Sequence, residues 1–324
     1  MTNWTASSIP PRKGRTAIIT GTRGLGFETA LALAQAGIEV IIAGRNLPKG
    51  VEAVARIRKE IASASVRFEQ VDLASLKSIA EFAQRLRGQK ESLDLLINNA
   101  GVMRPPKRLE TLDGFELQLG TNYLGHFALT AHLMPLLRNG KDARVVTLSS
   151  IAARGGEINF DDLQSERRYA SMQAYSQSKL ACLMFAFELQ RRSEAGHWGV
   201  ASIAAHPGLS RTDLLASAPG RNGRIGIFLR ILRLIMMQPA WRGALPTLFA
   251  ALAPEARAGG YYGPDRVSET RGYPTEAKAP PQSLDTHVAA RLWTESERLT
   301  GTVFPTDEDQ GHSTSAHVVR SLRA

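Results

Sequence analysis

Tyr175 and Lys179 stand four residues apart in the run Tyr-Ser-Gln-Ser-Lys, on a stretch whose pattern predicts a helix. Four residues make about one helical turn, roughly 6 Å of rise, so a phenol and an ammonium share one helix face. An ordinary phenol, with a pKa of about 10, shuttles protons reluctantly at neutral pH. Positive charge beside it favours the phenolate and suits it to general acid–base work. With a glycine-rich turn near the N-terminus, the pair suggests nucleotide-dependent redox chemistry: a hydride donor needs a carbonyl nearby and a proton source for the oxygen that becomes alkoxide-like. Alone the pair is weak, because Tyr and Lys at this spacing occur on many solvated helices.

The elements that would position these groups alternate strand and helix. Strands are expected at Arg15 to Thr20, Ile38 to Ala43, Val66 to Val71, Leu93 to Ile97, Arg144 to Leu148 and Val200 to Ala205. Helices are expected at Gly24 to Ala36, Pro48 to Ile61, Leu76 to Leu86, Thr121 to Leu137 and Ala174 to Arg192. This is the grammar of an α/β fold: a doubly wound parallel sheet, Rossmann-like, a single domain with helices on both faces. Ligands of such sheets bind beyond the carboxyl ends of the strands. The glycine turn, Asp72, Asn98 to Gly101, Ser149-Ser150 and His206-Pro207-Gly208 all fall at such ends.

A glycine-rich turn between the first strand and helix lets the backbone approach a pyrophosphate and aims helix N-terminal amides at it, a task that suits Gly21, Gly24 and Gly26. Asp72 has an alternative structural reading as a helix cap, a place that Ser75 also fits. His206 has no partner His or Cys at metal-ligand spacing, so a packed or solvated role is the stronger reading and no metal site is expected.

The ordered set Thr20-Gly21-Thr22-Arg23-Gly24-Leu25-Gly26, Asp72, Asn98-Asn99-Ala100-Gly101, Asn122, Ser150, Tyr175, Lys179 and His206-Pro207-Gly208 resembles the short-chain dehydrogenase/reductase family over roughly residues 14–300. The resemblance implies that Tyr175 is the acid/base, Lys179 holds the nicotinamide ribose, Ser150 bonds the substrate oxygen and Asn122 keeps a water beside Lys179. It implies cofactor contacts from Gly21, Arg23, Gly24, Leu25 and Gly26, from Asp72 and Leu73 at the adenine, and from Asn99, Ala100 and Gly101. Pro207, Gly208 and Thr212 would meet the nicotinamide carboxamide. Where an acidic residue at the end of the second strand would select NAD, this chain has Ala43-Gly44-Arg45, so Arg45 and Arg23 suit a clamp on a 2′-phosphate and NADP(H) is preferred over NAD(H).

Two departures stand out. Only Thr22 and Arg23 separate Gly21 from Gly24, one residue fewer than the family pattern. Either the turn tightens while the helix keeps its register, or phosphate binding weakens. Between Ser150 and Tyr175 lies an insertion including Gly155-Gly156-Glu157-Ile158-Asn159-Phe160. With Arg45, Lys49-Gly50 and Asn122-Tyr123-Leu124-Gly125-His126-Phe127, it resembles the retinol dehydrogenase-like and protochlorophyllide reductase-like branch.

With 324 residues, 43% of them hydrophobic, the chain can bury a full core. One cysteine, Cys182, excludes a disulfide framework, and a cytoplasmic location is the default. Residues 1–13 lack a signal-peptide core and read as a flexible arm; residues 301–324 read as a mobile polar tail. The net charge of +10 is dispersed and only 6% of residues are aromatic, so no nucleic-acid partner is expected. Within 209–239, Ile225 to Met237 is apolar with Arg230 and Arg233 interspersed, too short to span a bilayer. It fits a lid over a lipophilic carbonyl or alcohol, an amphipathic helix making peripheral membrane contact, or a subunit contact. Oligomeric state stays open. The leading expectation is carbonyl–alcohol interconversion, beside reduction of a carbon–carbon double bond and a non-catalytic NADP(H)-binding regulatory or scaffold role.

Overall fold

The computed structural model describes residues 3–210 and 237–305. Apolar runs form the central strands, whose two faces are both covered, while the edge strands are more polar: β1 (Thr16–Thr20), β2 (Glu39–Gly44), β3 (Val66–Gln70), β4 (Leu95–Asn98), β5 (Arg144–Leu148), β6 (Ala201–Ala205), β7 (Tyr261–Arg266) and β8 (Arg271–Glu276). They join in one sheet in the order β3-β2-β1-β4-β5-β6-β7-β8. Every pairing is parallel except that of β7 with β8, which is antiparallel. The strand order reverses between β1 and β4, where a doubly wound sheet opens a crevice.

Alternate strand residues serve opposite faces. Ile18, Ile41, Leu96 and Val145 pack with α3 (Leu76–Arg87), α5 (Gly125–Arg138) and α6 (Ser171–Ala195). Ala17, Ile19, Ile42 and Ile97 pack with α1 (Leu25–Gln35), α2 (Leu47–Glu60) and the short helix Leu245–Leu252. The Rossmann-like expectation therefore holds, with an antiparallel edge strand added. Among the described residues no helix is long and apolar enough to cross a membrane.

The terminal segments differ from expectation. The arm is packed: Trp4 meets Phe249 edge-on at 5.4 Å, and Arg12 donates its backbone N–H to Ala36 O at 2.7 Å. Apolar Trp4 and Ile9 give the polar arm something to bury. At the other end, Gly301 caps the helix Thr286–Thr300 in a left-handed conformation, φ 61°, and turns the chain inward. Phe304 is then buried against Trp293 at 4.4 Å and Phe127 at 5.1 Å, so packed structure continues past the expected boundary at 301. The rest of that tail, 306–324, lies outside the described residues.

The helix expected from Thr121 begins with a short α-helical turn, α4 (Leu117–Leu119), and then winds wide from Gly120 to Leu124, where Gly125 N–H bonds Gly120 O. Such an i to i+5 turn disturbs the usual backbone ladder. Asn122 O accepts from His126 Nδ1 at 2.8 Å and from the Cys182 thiol at 3.2 Å. Because that carbonyl can only accept, Nδ1 carries the hydrogen and Nε2 of the neutral ring is the acceptor. Thr20 Oγ1 lies 2.9 Å from Nε2 and donates to it, while accepting from Asn99 N and Ala100 N, each at 2.9 Å. One buried chain of bonds thus fixes the ends of β1 and β4 relative to α5 and α6.

Two outcomes follow from this packing. Phe304→Ala should lower the free energy of unfolding by about 3 kcal/mol or more; an unchanged denaturant midpoint would place the ring outside the core. Burial drives the His126 pKa from 6.5 down to about 4. Between those values the unfolded chain holds a proton that the folded chain refuses, so stability falls as the pH drops through that window, by on the order of 3 kcal/mol. Denaturation at pH 7 and pH 4.5 should show a smaller loss for His126→Gln than for the parent; equal losses would refute the buried neutral imidazole.

Candidate active site

A cleft of about 690 Å³ opens along the carboxyl ends of the strands. Its first wall is the turn after β1. Gly21 at φ 103° and Gly24 at φ 53°, ψ −124° adopt backbone that side chains disfavour. A Cβ on Gly26 would meet Gly21 O at 2.5 Å and Asn99 Nδ2 at 2.8 Å. The shortened loop therefore closes as a tight turn, with Gly26 N donating to Arg23 O at 3.2 Å, and α1 starts directly after it. Gly21, Arg23, Gly24 and Leu25 line the cleft, whereas Gly26 is buried beneath it.

The second wall follows β2 and β3. Arg45 is exposed at the cleft edge, and Asn46 caps α2 by accepting from Lys49 N at 2.9 Å. Lys49 also lines the cleft. Arg23 sits 3.4 Å from Glu52 of α2. Asp72 Oδ1 accepts from Ala74 N at 3.0 Å, and the adjoining helix takes its cap from Ser75. Both Asp72 and Leu73 border the cleft, as do Asn99, Ala100 and Gly101 after β4.

The third wall carries Tyr175, Lys179 and Ser150. Tyr175 and Lys179 of α6 line the cleft although each is mostly buried. Lys179 Nζ donates to Leu148 O at 3.0 Å, which directs the ammonium to the end of β5. Ser150 also lines the cleft; its Oγ accepts from Ala152 N at 3.2 Å, so its O–H remains to donate. Ser149 is buried and donates to Lys179 O at 2.7 Å, a bond between β5 and α6. Asn122 lies behind the cleft, not in its wall: Oδ1 accepts from Val102 N at 2.7 Å, and Nδ2 donates to Val102 O at 3.0 Å and to Ser178 Oγ at 2.9 Å. It binds the segment after β4 to the helix of Tyr175. A Cβ at Gly101 would stand 3.0 Å from Asn122 Oδ1 and 3.7 Å from Lys179 Nζ, so glycine lets these groups crowd together.

Pro207 and Gly208 complete the cleft. His206 points away into the core, where Gly208 N donates to Nδ1 at 3.3 Å and Nε2 lies 3.0 Å from Glu269 Oε2. Burial pushes the imidazole below its ordinary pKa, and the hydrogen bond from His206 leads the causes that hold Glu269 down to about 2. Thr212 and the apolar stretch 225–236 fall outside the described residues; Leu209 and Gln238, which flank the intervening chain, are joined by Gln238 N to Leu209 O at 2.9 Å. Sequence reasoning missed Met103, Arg104, Ile151 and Met172 as cleft residues. Met172 lies three positions before Tyr175 on α6, a spacing that could have suggested it. Among the described residues no group of three or more His, Cys, Asp or Glu is disposed to hold a metal ion.

Known proteins resemble this chain in sequence and in fold. Residues 15–222 match the short chain dehydrogenase family. Mouse retinol dehydrogenase 13 is 42% identical over 294 residues, spanning 89% of this chain and 84% of the relative. Mouse polyprenol dehydrogenase is 40% identical over 301 residues, spanning 90% and 86%. A crystal structure of an uncharacterised Mycobacterium paratuberculosis protein has 39% identity and a TM-score of 0.77, covering 94% of this chain and all of the other. On sequence and fold alike, the chain belongs to the short-chain dehydrogenase family of oxidoreductases, in its retinol dehydrogenase-like branch.

Proposed function

We propose that this protein is an NADP(H)-dependent oxidoreductase that interconverts a carbonyl and an alcohol on a lipophilic small molecule, with Tyr175 as acid/base. The observation that carries the reading is one cleft with a proton-handling end and a cationic end: Tyr175, Lys179 and Ser150 at the first, Arg23, Arg45 and Lys49 at the second. Its volume lies in the roughly 300–1,000 Å³ range of small-molecule sites. The tight turn of Gly21 and Gly24, which borders the cleft just before α1, suits a pyrophosphate. When bound, the dinucleotide supplies or accepts a hydride.

The chain's own groups do the rest. Ser150 O–H donates to the substrate oxygen, and Tyr175 O–H delivers the proton as that oxygen gains charge. Lys179, tied to Leu148 O, balances the charge left on the phenolic oxygen. Asn122 keeps Val102 and α6 in register, so that Gly101 and Tyr175 face the same space. Met103, Ile151 and Met172 give the reactive end an apolar lining, which favours a lipophilic substrate. The names of the retinol and polyprenol dehydrogenase relatives are in keeping with that preference.

Titration of the purified protein with NADPH and NADH, followed by nicotinamide fluorescence, tests the cofactor reading. NADPH should bind far more tightly. Arg45→Ala should weaken NADPH by roughly 10- to 100-fold, the worth of a charge-assisted hydrogen bond, and leave NADH nearly unchanged. Equal affinities in the parent, or an equal loss for both cofactors, would contradict the 2′-phosphate clamp.

A further inference from the structure

The turn between β7 and β8 places Val267, Ser268 and Glu269 in succession at φ 51°, 51° and 65°. Left-handed backbone is costly for any of these residues, and a run of it persists only when its surroundings hold it. What it achieves is the delivery of one carboxylate into the structure. Glu269 meets the buried His206 at 3.0 Å and Arg154 at 2.7 Å, and accepts from Lys278 N at 3.0 Å. Arg154 lies on the 3-10 turn Ile151–Gly155, which begins directly after Ser150. His206 directly precedes Pro207 and Gly208, which line the cleft after the neighbouring strand β6.

The hydrogen inventory fixes the direction of these bonds. Gly208 N–H donates to Nδ1, so Nδ1 is bare and Nε2–H donates to the carboxylate. Only an imidazole held in this tautomer and orientation can accept from Gly208. The packing is close: a Cβ on Gly263 would overlap His206 Nε2, and one on Gly208 would overlap Thr270 O of the same hairpin.

We propose that Glu269 is a positioning residue: through His206 it sets the Pro207–Gly208 wall of the cleft, and through Arg154 it fixes that wall relative to Ser150. One carboxylate then governs the distance between the group that orients the substrate oxygen and the turn beside the nicotinamide end. This inference rests on the proposed function for its catalytic consequence, while the clamp itself is tested without turnover.

The experiment compares the parent with Glu269→Gln, which keeps size and loses charge, and with Gly263→Ala, which displaces the imidazole and leaves the carboxylate in place. In the protein without cofactor, hydrogen exchange of the peptide containing Gly208 should be faster in both variants. With a long-chain aldehyde and 4-deuterated NADPH, hydride transfer should slow by roughly 10- to 100-fold and its isotope effect should rise, as expected for misaligned reactants. The NADPH dissociation constant should stay within about threefold, since pyrophosphate contacts are untouched. Unchanged exchange in Glu269→Gln overturns the clamp, and parent-like hydride transfer despite faster exchange overturns its positioning role. A parallel loss of melting temperature and NADPH affinity with no rise in isotope effect would mark the hairpin as merely structural. If the parent turned over no carbonyl, the proposed function would fail separately; exchange would still decide the clamp, with equal rates overturning it and faster exchange in the variants supporting it.

Discussion

A backbone carbonyl in a wide helical turn organises the side of this protein that carries Tyr175 and Lys179. Within the wide turn at Gly120–Leu124, Asn122 O accepts from His126 Nδ1 and Cys182. His126 in turn receives the Thr20 hydroxyl, and Thr20 receives the amides of Asn99 and Ala100. These bonds lie in the interior, where an unmatched polar group would cost about 1–3 kcal/mol. The network therefore has one workable arrangement, and that arrangement brings the ends of β1 and β4 against α6. The Asn122 amide adds a second tie by holding Val102 and Ser178.

The glycines belong to the same argument. Gly101 brings Lys179 and Asn122 together, Gly26 lets α1 approach Gly21, and Gly125 packs against Leu73 O so closely that a Cβ would overlap it. Close backbone approach at each point lets one cleft run from Arg45 to Tyr175. Met103 and Met172 add apolar lining to the same cleft.

Much of this was legible in the chain. Most of strands β1 to β6 are apolar runs between turn residues, and the structure places each within a residue or two of its expected span. The cleft residues Gly21, Arg45, Asp72, Ser150, Tyr175 and Lys179 could be located because they sit at strand ends or share a helix face. The hairpin β7–β8 was hidden by Pro264 and Pro274, which read as breaks yet face each other across the pair. Pro10 and Pro11 masked the packing of Trp4 and Ile9, and the polar stretch after Phe304 masked the burial of that ring. The wide turn at Asn122 and the left-handed run ending at Glu269 leave no local signature, because tertiary bonds rather than residue propensities maintain them.

The central claim is that Tyr175 delivers the proton from a cleft otherwise built to hold the cofactor and the substrate oxygen. The most direct measurement is single-turnover oxidation of bound NADPH by a long-chain aldehyde in the parent and in Tyr175→Phe, with the NADPH dissociation constant measured on each. The account predicts that loss of the Tyr175 hydroxyl slows this oxidation by roughly 100-fold or more, while cofactor affinity stays close to that of the parent. Oxidation at the parental rate in the variant would contradict it.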